Sequence, residues 1–183
     1  MTKNNDIKKD KYDSMETESR YKTRESFISD LAFAMSDHDI MEDQYLNLTQ
    51  QIVSVIQRED YSWGKKWPAE GDEVIYVDKT PSWEAFHQME EFADSINDHR
   101  VTRQLYNALD KRHPFSAFRD AAERTGVVQQ WYQWRDRWQN EQAEEWMREN
   151  GVDFKDGRIV ADGKHTLIWS WEDDEFAIDD DEI

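Results

Sequence analysis

Side chains suited to ion pairing or acid–base chemistry occur twice in the same order. A Phe-Arg-Asp step contains Arg119 and Asp120, and a Trp-Arg-Asp step contains Arg135 and Asp136. Adjacent residues on a helix do not face each other, so we expect neither step to pair within its own helix. We predict pairs between two helices, Arg119 with Asp136 or Asp120 with Arg135. A structural ion-pair network is the first interpretation, and a catalytic Arg/Asp group is the alternative.

A possible metal site centres on His87. Glu91 follows His87 by four residues, which places both on one face of a helix at a spacing that can hold a metal. No third ligand stands at a recognisable spacing, and the chain has no cysteine. The sequence also lacks a phosphate-binding glycine loop and a nucleophile elbow. We therefore predict no metal, no other cofactor and no catalytic residue.

Aromatic residues next to charged ones form the candidate partner-binding sites. Trp63 and Trp67 flank Lys65 and Lys66 in a segment that also contains proline and glycine, which is typical of a loop. We predict that these four residues contact a protein partner. A second predicted contact surface lies near the C-terminus and comprises Trp169, Trp171, Glu172, Asp173, Asp174 and Glu175.

The net charge limits the kind of partner. The chain carries 41 acidic and 23 basic residues, a formal net charge of −18. Such an excess opposes direct binding to DNA or RNA, because lysine and arginine on phosphates supply most of that affinity. It also disfavours anionic membrane surfaces. We therefore expect a protein partner with a basic surface, since complementary charge raises association rate and specificity.

The elements that position these residues follow from hydrophobic spacing. Four of the nine tryptophans, at positions 131, 134, 138 and 146, recur at helical intervals, which predicts a long helix with its rings in the core. We predict four further helices, beginning near Ser26, at Thr80-Pro81, after Asn97-Asp98 and at His113-Pro114. β-prone runs predict a hairpin over 45–56 and a strand over 73–77.

These elements predict an α+β fold in which a small, mainly antiparallel sheet packs with about five helices. Asp-Gly pairs after residue 153 predict a C-terminal β-hairpin. We divide the chain into a disordered tail (1–24), an α+β core (25–153), the hairpin (154–171) and an acidic tail (172–183). No apolar window approaches the ~20 residues of a membrane helix. With no cysteine and no apolar N-terminal run, we expect a cytoplasmic protein.

Three blocks of residues around the tryptophan helix also follow a known pattern. They are Phe115, Phe118, Arg119 and Asp120; Trp131, Tyr132, Trp134, Arg135 and Asp136; and Glu145, Trp146, Met147, Asn150 and Gly151. With these blocks the chain resembles a bacterial family, Uncharacterised protein family 0158, over about residues 26–152. The resemblance implies an α+β fold with several helices. It implies no activity and therefore supplies no catalytic residues.

The sequence thus predicts a non-catalytic, acidic interaction protein that binds a protein partner. The sharpest form of this prediction is an inhibitor or nucleic-acid mimic that occupies a nucleic-acid-processing enzyme of host defence. Duplex DNA presents one negative charge per about 1.7 Å of its axis, and a strongly acidic protein surface could imitate that charge density. One alternative is an enzyme of unknown reaction with an Arg/Asp or His-centred metal site. Another is a homo-oligomeric scaffold. The oligomeric state stays open.

Overall fold

The computed structural model of the chain describes residues 19–37, 42–57 and 68–170. Residues 1–18 and 172–183 of the two expected tails lie outside these ranges. The described helices are α1 (Arg24–Ser36), α2 (Ser82–Ser95), α3 (His99–Leu109), α4 (Pro114–Thr125) and α5 (Val128–Glu149). The strands are β1 (Glu42–Asn47), β2 (Ile52–Gln57), β3 (Glu73–Tyr76), β4 (Val152–Lys155), β5 (Arg158–Ala161) and β6 (Leu167–Ile168). The predicted α+β class is confirmed.

The larger sheet is antiparallel and has the strand order β2-β1-β3-β6. Its β1–β2 hairpin is the one predicted from two β-prone runs, and it closes with Asn47 opposite Ile52. Strands β4 and β5 form a separate two-stranded sheet whose turn is Asp156-Gly157. The C-terminal hairpin therefore exists but is shorter than the predicted 154–171. Strand β6 leaves it because Leu167 pairs with Val74 of β3 instead.

Local side-chain chemistry sets the first helix boundary. The hydroxyl of Thr23 accepts a hydrogen bond from the Ser26 amide at 3.2 Å, and the Ser26 hydroxyl accepts from the Thr23 amide at 3.4 Å. This reciprocal arrangement satisfies two amides that have no partner inside the helix. The helix predicted to begin near Ser26 therefore has Thr23 as its cap, and Ser26 lies in the first turn of α1.

Helix α5 connects two hydrophobic cores. Its Trp131 packs with buried residues of α2, α3 and α4, including Phe92 and Phe118. Its Trp146 packs with buried residues of α1 and of the strands, in a second cluster. Trp131 is 8% exposed and Trp146 is 4% exposed, so the predicted core role is confirmed for both. Trp134 and Trp138 are only half-buried.

The apolar content of the helices is modest. Within the described ranges no helix combines the length and the hydropathy needed to cross a lipid bilayer.

Candidate functional site

The two Arg-Asp steps pair in a different way from the one predicted. Arg119 Nη2 lies 3.7 Å from Asp120 Oδ1, and Arg135 Nη2 lies 2.6 Å from Asp136 Oδ1. Within the described residues no ion pair joins the α4 step to the α5 step. Our expectation of cross-helix pairs was wrong because each arginine is long enough to bend back to its neighbour at a surface position. Exposed pairs of this kind contribute little to stability.

His87 lies beside two carboxylates on the surface of α2. Its Nδ1 lies 3.4 Å from Glu90 Oε2, and its Nε2 lies 3.3 Å from Glu91 Oε1. The two carboxylates thus contact opposite nitrogens of the ring and do not converge on one point. In the part of the chain that the structure describes, no group of three or more histidine, aspartate or glutamate residues is arranged to hold a metal ion.

Most of the predicted partner-contacting residues lie outside the described ranges. These are Trp63, Lys65, Lys66 and Trp67, and also Trp171, Glu172, Asp173, Asp174 and Glu175. Trp169 is described, and it is only 9% exposed. Its ring packs edge-on against Tyr45 at 5.1 Å, and its amide donates to the Asp72 carbonyl at 2.8 Å. Trp169 therefore anchors the end of strand β6 to the larger sheet, while the two residues before it, Leu167 and Ile168, are exposed.

Those neighbours, Leu167 and Ile168, make up the edge strand β6. Their side chains are 60% and 63% exposed, compared with 40% for Tyr76 and 38% for Val160 on other described strands. The sequence placed both residues in the predicted C-terminal hairpin (154–171) but did not single them out. The alternation of apolar and polar residues along a strand could not identify them, because the exposure of a strand residue depends on which other elements lie alongside it.

The backbone of Ile168 points to the open edge of the sheet. Glu73 lies opposite Ile168 in β3. The Glu73 amide donates to Thr49 Oγ1 at 2.8 Å, and its carbonyl accepts from the Leu48 amide at 2.8 Å, so both groups face β1. Glu73 and Ile168 therefore form a non-hydrogen-bonded pair of the antiparallel ladder. The amide and carbonyl of Ile168 are left facing away from β3.

A cleft of about 490 Å³ adjoins this edge. We call it the edge cleft. It is lined by Leu48 and Gln51 of the β1–β2 turn, by Glu73, by residues 158–161 of β5, and by Gly163, Thr166 and Ile168. Ile168 of β6 and residues 158–161 of β5 thus line the same cleft.

Gln51 fixes one wall of the edge cleft. Its side-chain amide donates to the Ile159 carbonyl at 3.0 Å, and its side-chain oxygen accepts from the Ile159 amide at 2.7 Å. Gln51 is 3% exposed and has a φ of 57°. One side chain therefore makes the two hydrogen bonds that a neighbouring strand would make to Ile159. Sequence reasoning missed this residue, which looks like an ordinary polar turn residue.

Comparison with known proteins places the chain in a family. The sequence profile of Uncharacterised protein family UPF0158 matches residues 24–163. The chain belongs to this family. It is also 27% identical over 128 residues to a UPF0158 protein of Pseudomonas aeruginosa, which covers 68% of this chain and 82% of the relative. No solved structure matches the chain.

The extent of the UPF0158 match bears directly on the site. It includes every described element from α1 to β5 and ends at Gly163, before β6 begins at Leu167. The exposed edge strand therefore lies just past the segment that the family profile matches. Leu167 and Ile168 lie in a part of this chain that the family profile does not match.

Proposed function

We propose that this member of the UPF0158 family is a non-catalytic interaction protein that binds a protein partner at the β6 edge. The observation that carries the proposal is the exposure of Leu167 and Ile168 on an open edge strand. An exposed edge offers backbone groups to an added strand and apolar side chains for its contacts. Covering one such side chain fully is worth about 1.5–3 kcal/mol.

The charge of the adjoining sequence supports a partner with a basic surface. Residues 172–183 directly after this region carry eight acidic groups and no basic one. A specific interface needs roughly 800 Å² from each partner, more than two side chains provide. We infer that the acidic residues, together with Trp63, Lys65, Lys66 and Trp67, add to an interface centred on β6.

The sharper form of the proposal names the class of partner. A strongly acidic protein can occupy a surface that normally binds nucleic acid, because both present closely spaced negative charges. On this basis the partner is a nucleic-acid-processing enzyme of host defence, which the protein inhibits. The absence of cysteine suits a cytoplasmic setting for that encounter.

The test compares capture of partners by two variants. In the edge variant Leu167→Ser is combined with Ile168→Ser, whereas the control variant carries Phe33→Ser on α1, where the ring is 73% exposed. We expect a protein retained by the wild type and by the control to bind the edge variant at least about tenfold more weakly, because central interface residues commonly cost more than 1 kcal/mol each.

Two results would contradict the proposal. Equal affinity of the edge variant and the wild type would show that β6 is not the contact. Affinity that stays constant from low to physiological salt would contradict the electrostatic part of the proposal, because the screening length falls from about 30 Å at 0.01 M to about 8 Å at 0.15 M. If the captured protein is a second copy of the chain, size measurement at several concentrations identifies the homo-oligomeric alternative.

A further inference from the structure

A second concave feature lies among the helices. It is a groove of about 440 Å³ between the end of α1, the first half of α2, the start of α4 and the first half of α5. We call it the ring groove because Phe115, Trp131 and Trp138 line it, together with Met89. It shares no lining residue with the edge cleft. Its volume falls in the range of about 300–1,000 Å³ that is typical of small-molecule sites.

The ring groove is held open by contacts between the elements that border it. The Thr80 amide donates to the Met35 carbonyl at 2.7 Å, which ties the segment before α2 to the end of α1. The indole of Trp134 donates to Gln88 Oε1 at 3.3 Å, which ties α5 to α2. Phe115 is 47% exposed although it lies in a helix with a buried face. Hydrogen bonds thus connect elements that border the groove, and one aromatic ring of its lining is exposed.

Its charge differs from that of the whole chain. Arg135 is the one charged side chain among the residues that line the groove, in a protein of net charge −18. The other lining residues are aromatic, apolar or neutral polar. Asp136, whose carboxylate offsets part of the Arg135 charge, does not line the groove. An anionic occupant would therefore meet a guanidinium there, whereas a cationic occupant would meet no carboxylate among the lining residues.

The guanidinium of Arg135 is positioned and still has donors to offer. Its Nε and Nη2 donate to Asp136 Oδ1 at 3.0 and 2.6 Å, and its carbon lies 5.0 Å from the centre of the Tyr132 ring. A guanidinium has five N–H donors, so two bonds to one carboxylate oxygen leave three. Arginine presents such donors in a planar fork that matches carboxylates and related anions.

We propose that the ring groove binds a small organic anion that has an aromatic or aliphatic body and one carboxylate or sulfonate group. The body lies against Trp131, Trp138, Phe115 and Met89, and the anionic group accepts hydrogen bonds from Arg135. This site is separate from the β6 edge and does not rest on the function proposed above.

The test uses two dyes of similar shape with the full-length protein. Anilinonaphthalene sulfonate is an aromatic anion, and N-phenylnaphthylamine is its uncharged counterpart. We expect saturable binding of the anionic dye with energy transfer from tryptophan. Arg135→Gln should weaken binding of the anionic dye by about 10- to 100-fold, the range set by a charged hydrogen bond worth about 1.5–3 kcal/mol. It should leave the neutral dye unchanged.

Matched variants separate the site from general effects. Arg119→Gln removes the other arginine of an Arg-Asp step, which does not line the groove, and should leave both dyes unchanged. Arg135→Lys should recover part of the binding. Trp138→Ala should weaken both dyes. Three results would each overturn the proposal. The first is that Arg119→Gln weakens binding of the anionic dye as much as Arg135→Gln does, and the second is that Arg135→Gln binds this dye as tightly as the wild type. The third is that Trp138→Ala changes the binding of neither dye.

Discussion

At the scale of single residues, Gln51 links the β1–β2 turn to the smaller sheet. Its side chain pairs with the amide and the carbonyl of Ile159, and both contacts are buried. A buried backbone group that loses its partner costs about 1–3 kcal/mol. The free energy of unfolding therefore depends on this amide more than its place in a turn suggests.

Replacing Gln51 tests that dependence. Gln51→Leu should lower the free energy of unfolding by about 1–3 kcal/mol or more, because the amide and carbonyl of Ile159 both lose a partner. Gln51→Glu should also destabilise, since a carboxylate accepts from the amide but repels the carbonyl. The control is Gln50→Leu in the same turn, expected within about 0.5 kcal/mol of the wild type. Denaturant unfolding measures all three, and a Gln51→Leu protein as stable as the wild type would refute the role.

At the scale of elements, helix α3 depends on a titrating cap. Asp98 accepts from the Arg100 amide at 2.8 Å and from the Val101 amide at 3.4 Å. These two backbone hydrogen bonds hold the pKa of the Asp98 carboxyl below its usual range. Because the folded pKa is depressed, the stabilisation is fully present above the unfolded value of 3.8 and is lost as pH falls through the folded value.

The cap therefore predicts a pH-dependent effect. Asp98→Ala should lower the midpoint of thermal unfolding at about pH 7, and the difference from wild type should be smaller at a pH below 3.8, as the carboxyl takes up a proton. Asp98→Asn is the matched control, because asparagine caps helices without titrating. It should keep the midpoint near that of the wild type at about pH 7. A deficit in Asp98→Ala that is the same at both pH values would exclude the carboxylate as its cause.

At the scale of the whole molecule, α5 makes the two cores interdependent. Phe92 lies at the centre of the helical core, 2% exposed, with ring centroids 5.3 Å from Trp131 and 6.3 Å from Phe118. The other core, around Trp146, uses the opposite end of the same helix. Loss of one core should therefore loosen the helix on which the other depends.

Phe92→Ala tests this coupling. Truncation of a buried phenylalanine typically costs about 3–5 kcal/mol, and here we expect one cooperative transition at lower denaturant. Tryptophan fluorescence and far-ultraviolet circular dichroism should report the same midpoint. Trp83→Ala on α2, where the ring is 69% exposed, is the control and should change little. Two separate transitions in the Phe92 variant would show that the cores unfold independently.

The helices and the first hairpin could be predicted because their signals are local. Helical spacing of apolar residues and short β-prone runs are signals within a few residues, so the chain carries them wherever it folds. The ion pairs could not be predicted in the same way, because the direction of Arg135 depends on its surroundings. The partner of Gln51 is 108 residues away, which no local pattern reveals. The ring groove is lined by residues of four helices, so its existence depends on how distant segments pack.

The four tryptophans of α5 show where the boundary lies. By itself the sequence determined that they share a helix, that the protein is strongly acidic and that the fold is α+β, since periodicity and charge are properties of the chain. The tertiary structure alone decided that Trp131 and Trp146 enter separate cores and that Trp138 lines a groove. It also decided that β6 is left at an edge. Burial depends on what other elements cover a face, and distant parts of the chain supply those elements.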